Sequence, residues 1–193
     1  MIKRILAGCL LSGLGLQAAQ AGCKEDIQAM MKAGETAENY RLETETLIGG
    51  TPIQHSTQYY KDYSHFHQVV KETGVNWMVL GNQEYTSSDG KAWEPYRTRD
   101  SAWLEKTLAA NEATRASIKD VVCGAEVLDG INYKKYSYVQ ETKEPAAVSA
   151  VAIWLDPATE LPAKRYMKTE LSGQVIETNV VITWGEEIML PKP

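Results

Sequence analysis

The sequence predicts a mainly β fold of the α+β class. We expect an open, strongly curved antiparallel half-barrel of about eleven strands, with two helices on its concave face. Three observations support this prediction. Apolar and polar residues alternate with period two through most of the chain after residue 40. Short turn signals separate these segments, which favours antiparallel neighbours, and only two segments have the apolar spacing of a helix.

The chain begins with the features of a secretory signal peptide. Lys3 and Arg4 precede an apolar stretch, and an Ala-x-Ala ending follows at Ala21. The apolar stretch is shorter than the roughly 20 residues that a transmembrane helix needs. We therefore expect a cleaved leader over residues 1–21 and a single periplasmic domain over residues 22–193, with no integral membrane span.

The sequence allows more than one chemical state for Cys23. After cleavage, Cys23 and Cys123 are an even pair, which favours a disulfide in an oxidising compartment, with two buried free thiols as the alternative. Ala21-Gly22-Cys23 is also similar to the lipid-attachment site of bacterial lipoproteins. However, Gln20 stands where that pattern has an aliphatic residue. We therefore expect a soluble protein, with a lipid anchor at Cys23 as the minority alternative.

Charge and composition exclude some partners. The formal net charge is −5, and it becomes more negative once Lys3 and Arg4 are removed. This acidity argues against nucleic acid and anionic membrane surfaces as partners. Five Trp and ten Tyr accompany one Phe, and amphipathic aromatic residues suit ligand grooves as well as cores.

Each helix has its own sequence signal. The first is expected from Cys23 to about Gly34, and the second is expected to start at a cap on Asp100 or Ser101 and to end before Ser117. Their apolar faces consist of Ile27, Met30 and Met31 in the first helix and of Trp103, Leu104 and Leu108 in the second.

The strands follow from alternation and from the turns between them. Asp129-Gly130 is the strongest hairpin signal in the chain. Because the other turns are also short, we expect a meander in which strands pair in chain order. The predicted strands lie near residues 40–48, 54–61, 65–73, 75–80, 83–87, 91–96, 118–128, 131–141, 148–155, 163–171 and 174–184.

Three turn segments have distinctive sequences. The segment 154–165 reads WLDPATELPAKR, an apolar strand that ends in Asp156, a turn with Thr159 and then Leu-Pro. The other two are GAEVLDG at 124–130 and SDGKAW at 88–93. Together these segments resemble the turns of the periplasmic lipoprotein carriers, the LolA/LolB-like proteins. The resemblance implies an unclosed, curved sheet with helices in its concave face and an apolar cavity that takes acyl chains.

The predicted function is therefore to bind a lipid, an acyl chain or a lipidated protein and to carry it across the periplasm. The alternative is an envelope protein-interaction or sensor module that uses the same fold to bind a protein partner without lipid. Ordinary core packing is the competing explanation for every residue predicted to line the cavity. These residues are Met30, Met31, Leu42, Trp77, Val79, Leu104, Leu108, Tyr136, Tyr138, Trp154, Met167, Ile182 and Trp184.

No catalytic or metal-binding pattern stands out. The sequence contains no nucleophile elbow, His-Glu-x-x-His, Cys-x-x-Cys or phosphate-binding glycine loop. His65 and His67 share a strand face, but the hairpin before them leaves His55 on the order of 10 Å away, too far for one tetrahedral ion. We therefore predict a binding protein that is not an enzyme and has no metal or cofactor.

Overall fold

The computed structural model describes residues 14–143 and 145–193, with side chains from residue 22 onward. Over these residues the chain forms two helices and eleven strands. Their bounds are α1 Leu14–Gly34, β1 Tyr40–Ile48, β2 Thr51–Asp62, β3 His65–Val70, β4 Asn76–Leu80, β5 Gln83–Ser87, β6 Glu94–Thr98, α2 Trp103–Ala116, β7 Lys119–Leu128, β8 Ile131–Lys143, β9 Ala146–Leu155, β10 Pro162–Leu171 and β11 Gln174–Trp184.

All eleven strands form one antiparallel sheet in the order β6-β5-β4-β3-β2-β1-β11-β10-β9-β8-β7. The predicted hairpins are therefore confirmed, but strict pairing in chain order is wrong at two points. β1 pairs with β11, and β6 and β7, although consecutive in the chain, form the two free edges. The sequence contains no local signal for this pairing, because it joins the first and last strands.

The sheet is curved and does not close. In a flat sheet the β4–β5 turn and β8 would lie about 36 Å apart, yet α2, about 21 Å long, contacts both of them. The edge strands β6 and β7 do not pair with each other, and the expected open half-barrel with two helices is confirmed.

The turns behave as their residues predict. Asp129 and Gly130 both have positive φ (53° and 79°), as a type I′ hairpin requires. In the Asp-Pro turn, Asp156 Oδ1 accepts hydrogen bonds from the backbone N–H groups of Ala158 and Thr159, at 2.9 and 3.0 Å. These two donors lower the pKa of the Asp156 carboxyl below its ordinary value.

The helices differ from the prediction at their N-termini. α1 begins at Leu14, before the predicted start at Cys23, because residues 14–21 are rich in the helix formers Ala, Leu and Gln. Residues 1–13 of the predicted leader lie outside the described residues. α2 begins after Ala102, which has no side-chain cap. Asp100 does not cap the helix but accepts the N–H of Ala102 just before it, at 2.9 Å.

The core lies between α1 and the half of the sheet formed by β7 to β10. Cys23 and Ile27 of α1 are buried against Tyr136, Tyr138 and Ile153. A disulfide joins Cys23 to Cys123 of β7, with their Cα atoms 5.8 Å apart, as the sequence predicts. Among the described residues, neither helix is long and apolar enough to cross a bilayer.

Candidate ligand-binding cavity

A row of aromatic side chains crosses the face of the sheet that bears the helices. Each of the strands β11, β1, β2, β3 and β4 contributes one ring, because the strand register places Tyr40 opposite both Trp184 and Tyr60, and Tyr60 opposite Phe66. Neighbouring ring centroids are 4.7 to 5.3 Å apart along the row, within the favourable range for aromatic pairs. The row runs Trp184, Tyr40, Tyr60, Phe66, Trp77.

A buried carboxylate supports the end of this row. Glu84 of β5 accepts hydrogen bonds from Trp77 Nε1 at 3.0 Å and from Arg99 Nε at 2.5 Å, and it pairs with Arg97 at 3.0 Å. Burial alone would raise the pKa of Glu84, but the hydrogen bonds from these side chains outweigh it and lower the pKa. The Arg99 guanidinium in turn lies 4.1 Å above the ring of Trp103, which fixes the start of α2.

α2 lies across the open side of the half-barrel. At its first turn, Trp103 Nε1 donates to Asn82 Oδ1 at 3.0 Å, and further along, Asn111 Nδ2 donates to the Tyr63 hydroxyl at 3.0 Å. Asn82 and Tyr63 belong to turns between strands of the first half of the sheet, whereas α2 also contacts β8 of the other half. The helix therefore bridges the two halves.

The two helices are joined by a largely buried ion pair. Arg115 of α2 pairs with Glu35, just after α1, and also with the exposed Glu112. Gln28 Nε2 of α1 donates to the carbonyl of Arg115 at 3.0 Å. The charge of Arg115 is thus neutralised within the protein, and α1 and α2 are held together above the sheet.

Between the helices and the sheet lies a cavity of about 260 Å³, which we call the inner cavity. It is enclosed by the C-terminal half of α1, the last turns of α2 and strands β1, β9, β10 and β11. Its lining residues are Met30, Met31, Gly34, Glu35, Tyr40, Leu42, Asn111, Arg115, Ile153, Pro162, Arg165, Ile182 and Trp184.

Arg165 is the unusual member of this lining. It lies on β10 opposite Ile153 and Val180, so it faces the helices. Its Nε atom is buried and has no hydrogen-bond partner among the described residues. Unlike Arg115, it has no carboxylate partner in the described part of the chain.

The opposite face of the sheet carries a larger open groove of about 760 Å³, the outer groove, crossed by charged side chains. There His55 Nδ1 lies 2.7 Å from Glu72, and its Nε2 lies 3.2 Å from Glu45. Hydrogen bonds to Glu72 and Glu45 raise the pKa of His55, while burial lowers the pKa of His67. His65 pairs with Asp62, and His67 Nε2 lies 3.0 Å from Asn76 Oδ1, so the three histidines have separate partners.

The structure brings five of the predicted lining residues together in the inner cavity: Met30, Met31, Leu42, Ile182 and Trp184. Tyr136, Tyr138 and Met167 face the same side but belong to the core cluster or pack against it, and Val79 is fully buried. Trp77 is in the aromatic row. Leu104 and Leu108 are half-buried on α2 but do not line the inner cavity.

The prediction that Trp154 lines the cavity is wrong, because this residue lies on the opposite face of the sheet. Trp154 lies opposite Lys164, on the side of the outer groove, and its indole N–H donates to Glu126. Its neighbour Ile153 faces the inner cavity instead. Because residues 150–155 are almost uniformly apolar, alternation does not show which of the two neighbours points inward.

Sequence reasoning also missed Tyr40, Ile153, Arg115 and Arg165. The pairing of Tyr40 with Trp184 joins strands at opposite ends of the sequence, so no local pattern indicates it. Arg165 sits between Lys164 and Lys168 and reads as part of a solvated basic strand. The only signal is its position two residues before Met167, which the sequence already placed inward.

Comparisons with known proteins do not assign the chain to a family. No protein-family model matches it, and no curated protein matches it. Among solved structures, a DUF1329 family protein from Desulfovibrio piger is similar over 86% of this chain and 91% of its own length, with 12% identity and a TM-score of 0.34. A similarity this low carries no argument about function.

Proposed function

We propose that this chain is a periplasmic binding protein that holds a lipid, an acyl chain or a lipidated protein in the inner cavity and carries it through water. The observation that carries the proposal is the cavity itself, which separates two methionines of α1 from Leu42, Ile182 and Trp184 of the sheet. Methionine side chains adapt to irregular apolar ligands. The proposal is for binding without catalysis and without a cofactor.

Apolar burial supplies enough energy for such binding. Each buried methylene contributes about 0.8 kcal/mol of binding free energy. The methylenes of one acyl chain that lie in the inner cavity therefore offset the free-energy cost of association without a charged contact. α1 is fixed to the sheet by the disulfide and by its buried residues, Cys23 and Ile27. α2 is held by an ion pair from Arg115 to Glu35 and by hydrogen bonds from Asn111 and Trp103. α2 can therefore move away from the sheet to admit a longer chain.

Two observations support the proposed location. The disulfide between Cys23 and Cys123 is typical of an oxidising compartment. The basic and apolar start of the chain, with its Ala-x-Ala ending, is typical of export. In the disulfide-bonded form Cys23 is not available for lipid attachment, which favours the soluble form over the anchored one.

A second candidate is a protein-interaction module. Within residues 14–143 and 145–193, the edge strand β7 pairs with β8 alone, and it carries the exposed side chains Val122 and Val127, which are 59% and 65% accessible. A partner could add a strand there by backbone hydrogen bonding. This observation favours an envelope protein as the partner and requires no lipid.

Native mass spectrometry of the protein, purified without detergent from its own periplasm, separates the two functions. We expect adducts with the masses of acyl species, which are released at higher collision energy. An apo mass with a co-purifying polypeptide would favour the interaction module. An apo mass alone, after incubation with decanoate, would contradict lipid binding.

A further inference from the structure

We propose that the inner cavity selects a single-chain amphiphile with a carboxylate head, a free fatty acid, whose carboxylate pairs with Arg165 while its chain lies among Met30, Met31 and Ile182. This inference rests on the proposed function and specifies its ligand. It concerns the chemistry of the head group, which the apolar lining alone does not determine.

The first step is the missing counter-ion of Arg165. Buried charges in proteins are normally paired and hydrogen-bonded, because an isolated ion in a low-dielectric site is costly. Arg165 is a half-buried residue of the cavity lining, and its Nε atom is buried without a hydrogen-bond partner among the described residues. A bound carboxylate would supply both the missing charge and the missing acceptors, in the two-pronged geometry that guanidinium groups favour.

The second step is the surplus of positive charge among the cavity residues. The charged residues that line the cavity are Glu35, Arg115 and Arg165. Glu35 is already paired with Arg115, so neither attracts a ligand strongly. Arg165 is left as the cation that a ligand would neutralise.

The third step is the set of hydroxyl donors around Arg165. Its charge acts on the hydroxyls of Tyr40, Tyr60 and Tyr138, whose pKa values are nevertheless raised by burial, to about 12 for Tyr60 and Tyr138. These hydroxyls therefore stay protonated, and that of Tyr60 donates to Gln58 Oε1 at 3.2 Å. The Tyr40 hydroxyl has no partner among the described residues, and that of Tyr138 has only the sulfur of Met31, at 4.0 Å. Of these three tyrosines, Tyr40 lines the inner cavity, and its free donor suits a ligand head that only accepts, as a carboxylate does.

The fourth step is size. The inner cavity, at about 260 Å³, is smaller than the roughly 300–1,000 Å³ of common small-molecule sites. One chain fits this volume. The two or three chains of a phospholipid or a lipoprotein anchor do not fit without displacement of a helix. The structure therefore favours a free fatty acid over these larger lipids.

The test compares decanoate with 1-decanol, which has the same chain and a neutral head, by calorimetric titration of the full-length mature protein at neutral pH. Without a cation in the cavity, the carboxylate would be the weaker ligand because its charge must be desolvated. We expect decanoate to bind about 10- to 100-fold more tightly than decanol. The Arg165→Met variant should lose this preference and still bind decanol.

The matched control is Arg41→Met. Arg41 is also a strand arginine with a buried, unpartnered Nε, but it lies next to Tyr40 on the opposite face, where it pairs with Glu43 and Glu186. This variant should keep the preference for decanoate. If Arg165→Met does not fold, the comparison of the two ligands on the wild-type protein still tests whether the cavity prefers a carboxylate head.

The outcomes separate the two proposals. Equal affinity for decanoate and decanol, or an unchanged preference in Arg165→Met, would overturn the role of Arg165 and leave lipid binding intact. Binding of neither ligand would contradict the proposed function itself and this inference with it. A preference for decanoate that disappears with Arg165 supports both.

Discussion

The Met31→Asp variant is expected to lose decanoate binding by at least about 100-fold, because an ionised carboxylate in the apolar lining must be desolvated when a chain enters. Met31 lines the inner cavity and packs on the core beneath α1. Decanol binding should fall by a similar factor, since the loss concerns the chain and not the head group. Calorimetric titration measures both ligands.

The matched control is Ala33→Asp. Ala33 lies two residues after Met31 in the last turn of α1 and is exposed, so Ala33→Asp introduces the same charge on the same helix but outside the cavity. It should bind both ligands as the wild type does. If Met31→Asp folds, as its circular dichroism would show, and still binds decanoate normally, the ligand does not lie between α1 and the sheet.

Removal of the disulfide by the double change Cys23→Ala and Cys123→Ala should lower the free energy of unfolding by about 2–5 kcal/mol. The two cysteines are 100 residues apart, and in the loop-entropy account a crosslink of this span contributes about 4.7 kcal/mol. The crosslink also anchors α1 to β7 beside the core. Urea unfolding followed by tryptophan fluorescence measures the change.

Two controls accompany this measurement. The wild-type protein in reducing agent should match the double variant, and reducing agent should not change the variant further. Val122→Ala alters an exposed neighbour of Cys123 and should change stability by no more than about 0.5 kcal/mol. An unchanged urea midpoint in the double variant would show that Cys23 and Cys123 are not joined in the purified protein.

Much of the fold could be predicted because its signals are local. β1, β5 and β11 match the predicted residues 40–48, 83–87 and 174–184. β6 is an exception, since it begins at Glu94 instead of residue 91. The carboxylate of Asp89 accepts the N–H groups of Lys91 and Ala92, at 2.8 and 3.0 Å, and keeps them in the turn.

The long-range arrangement could not be read from local patterns. The pairing of β1 with β11 determines which residues surround the cavity, because it brings Tyr40 and Leu42 beside Trp184 and Ile182. Alternation did group Leu42, Met167 and Ile182 on one face. It failed at Trp154, where both neighbours are apolar, and it gave no reason to consider a strand arginine such as Arg165.

A crystal structure of the mature protein in complex with decanoate tests the central claim most directly. We predict electron density for one chain between α1 and strands β1 and β11, in contact with Met31 and Ile182, with the carboxylate on the guanidinium of Arg165. Density for the chain in the outer groove, or an inner cavity filled by the protein's own side chains under saturating ligand, would contradict the account.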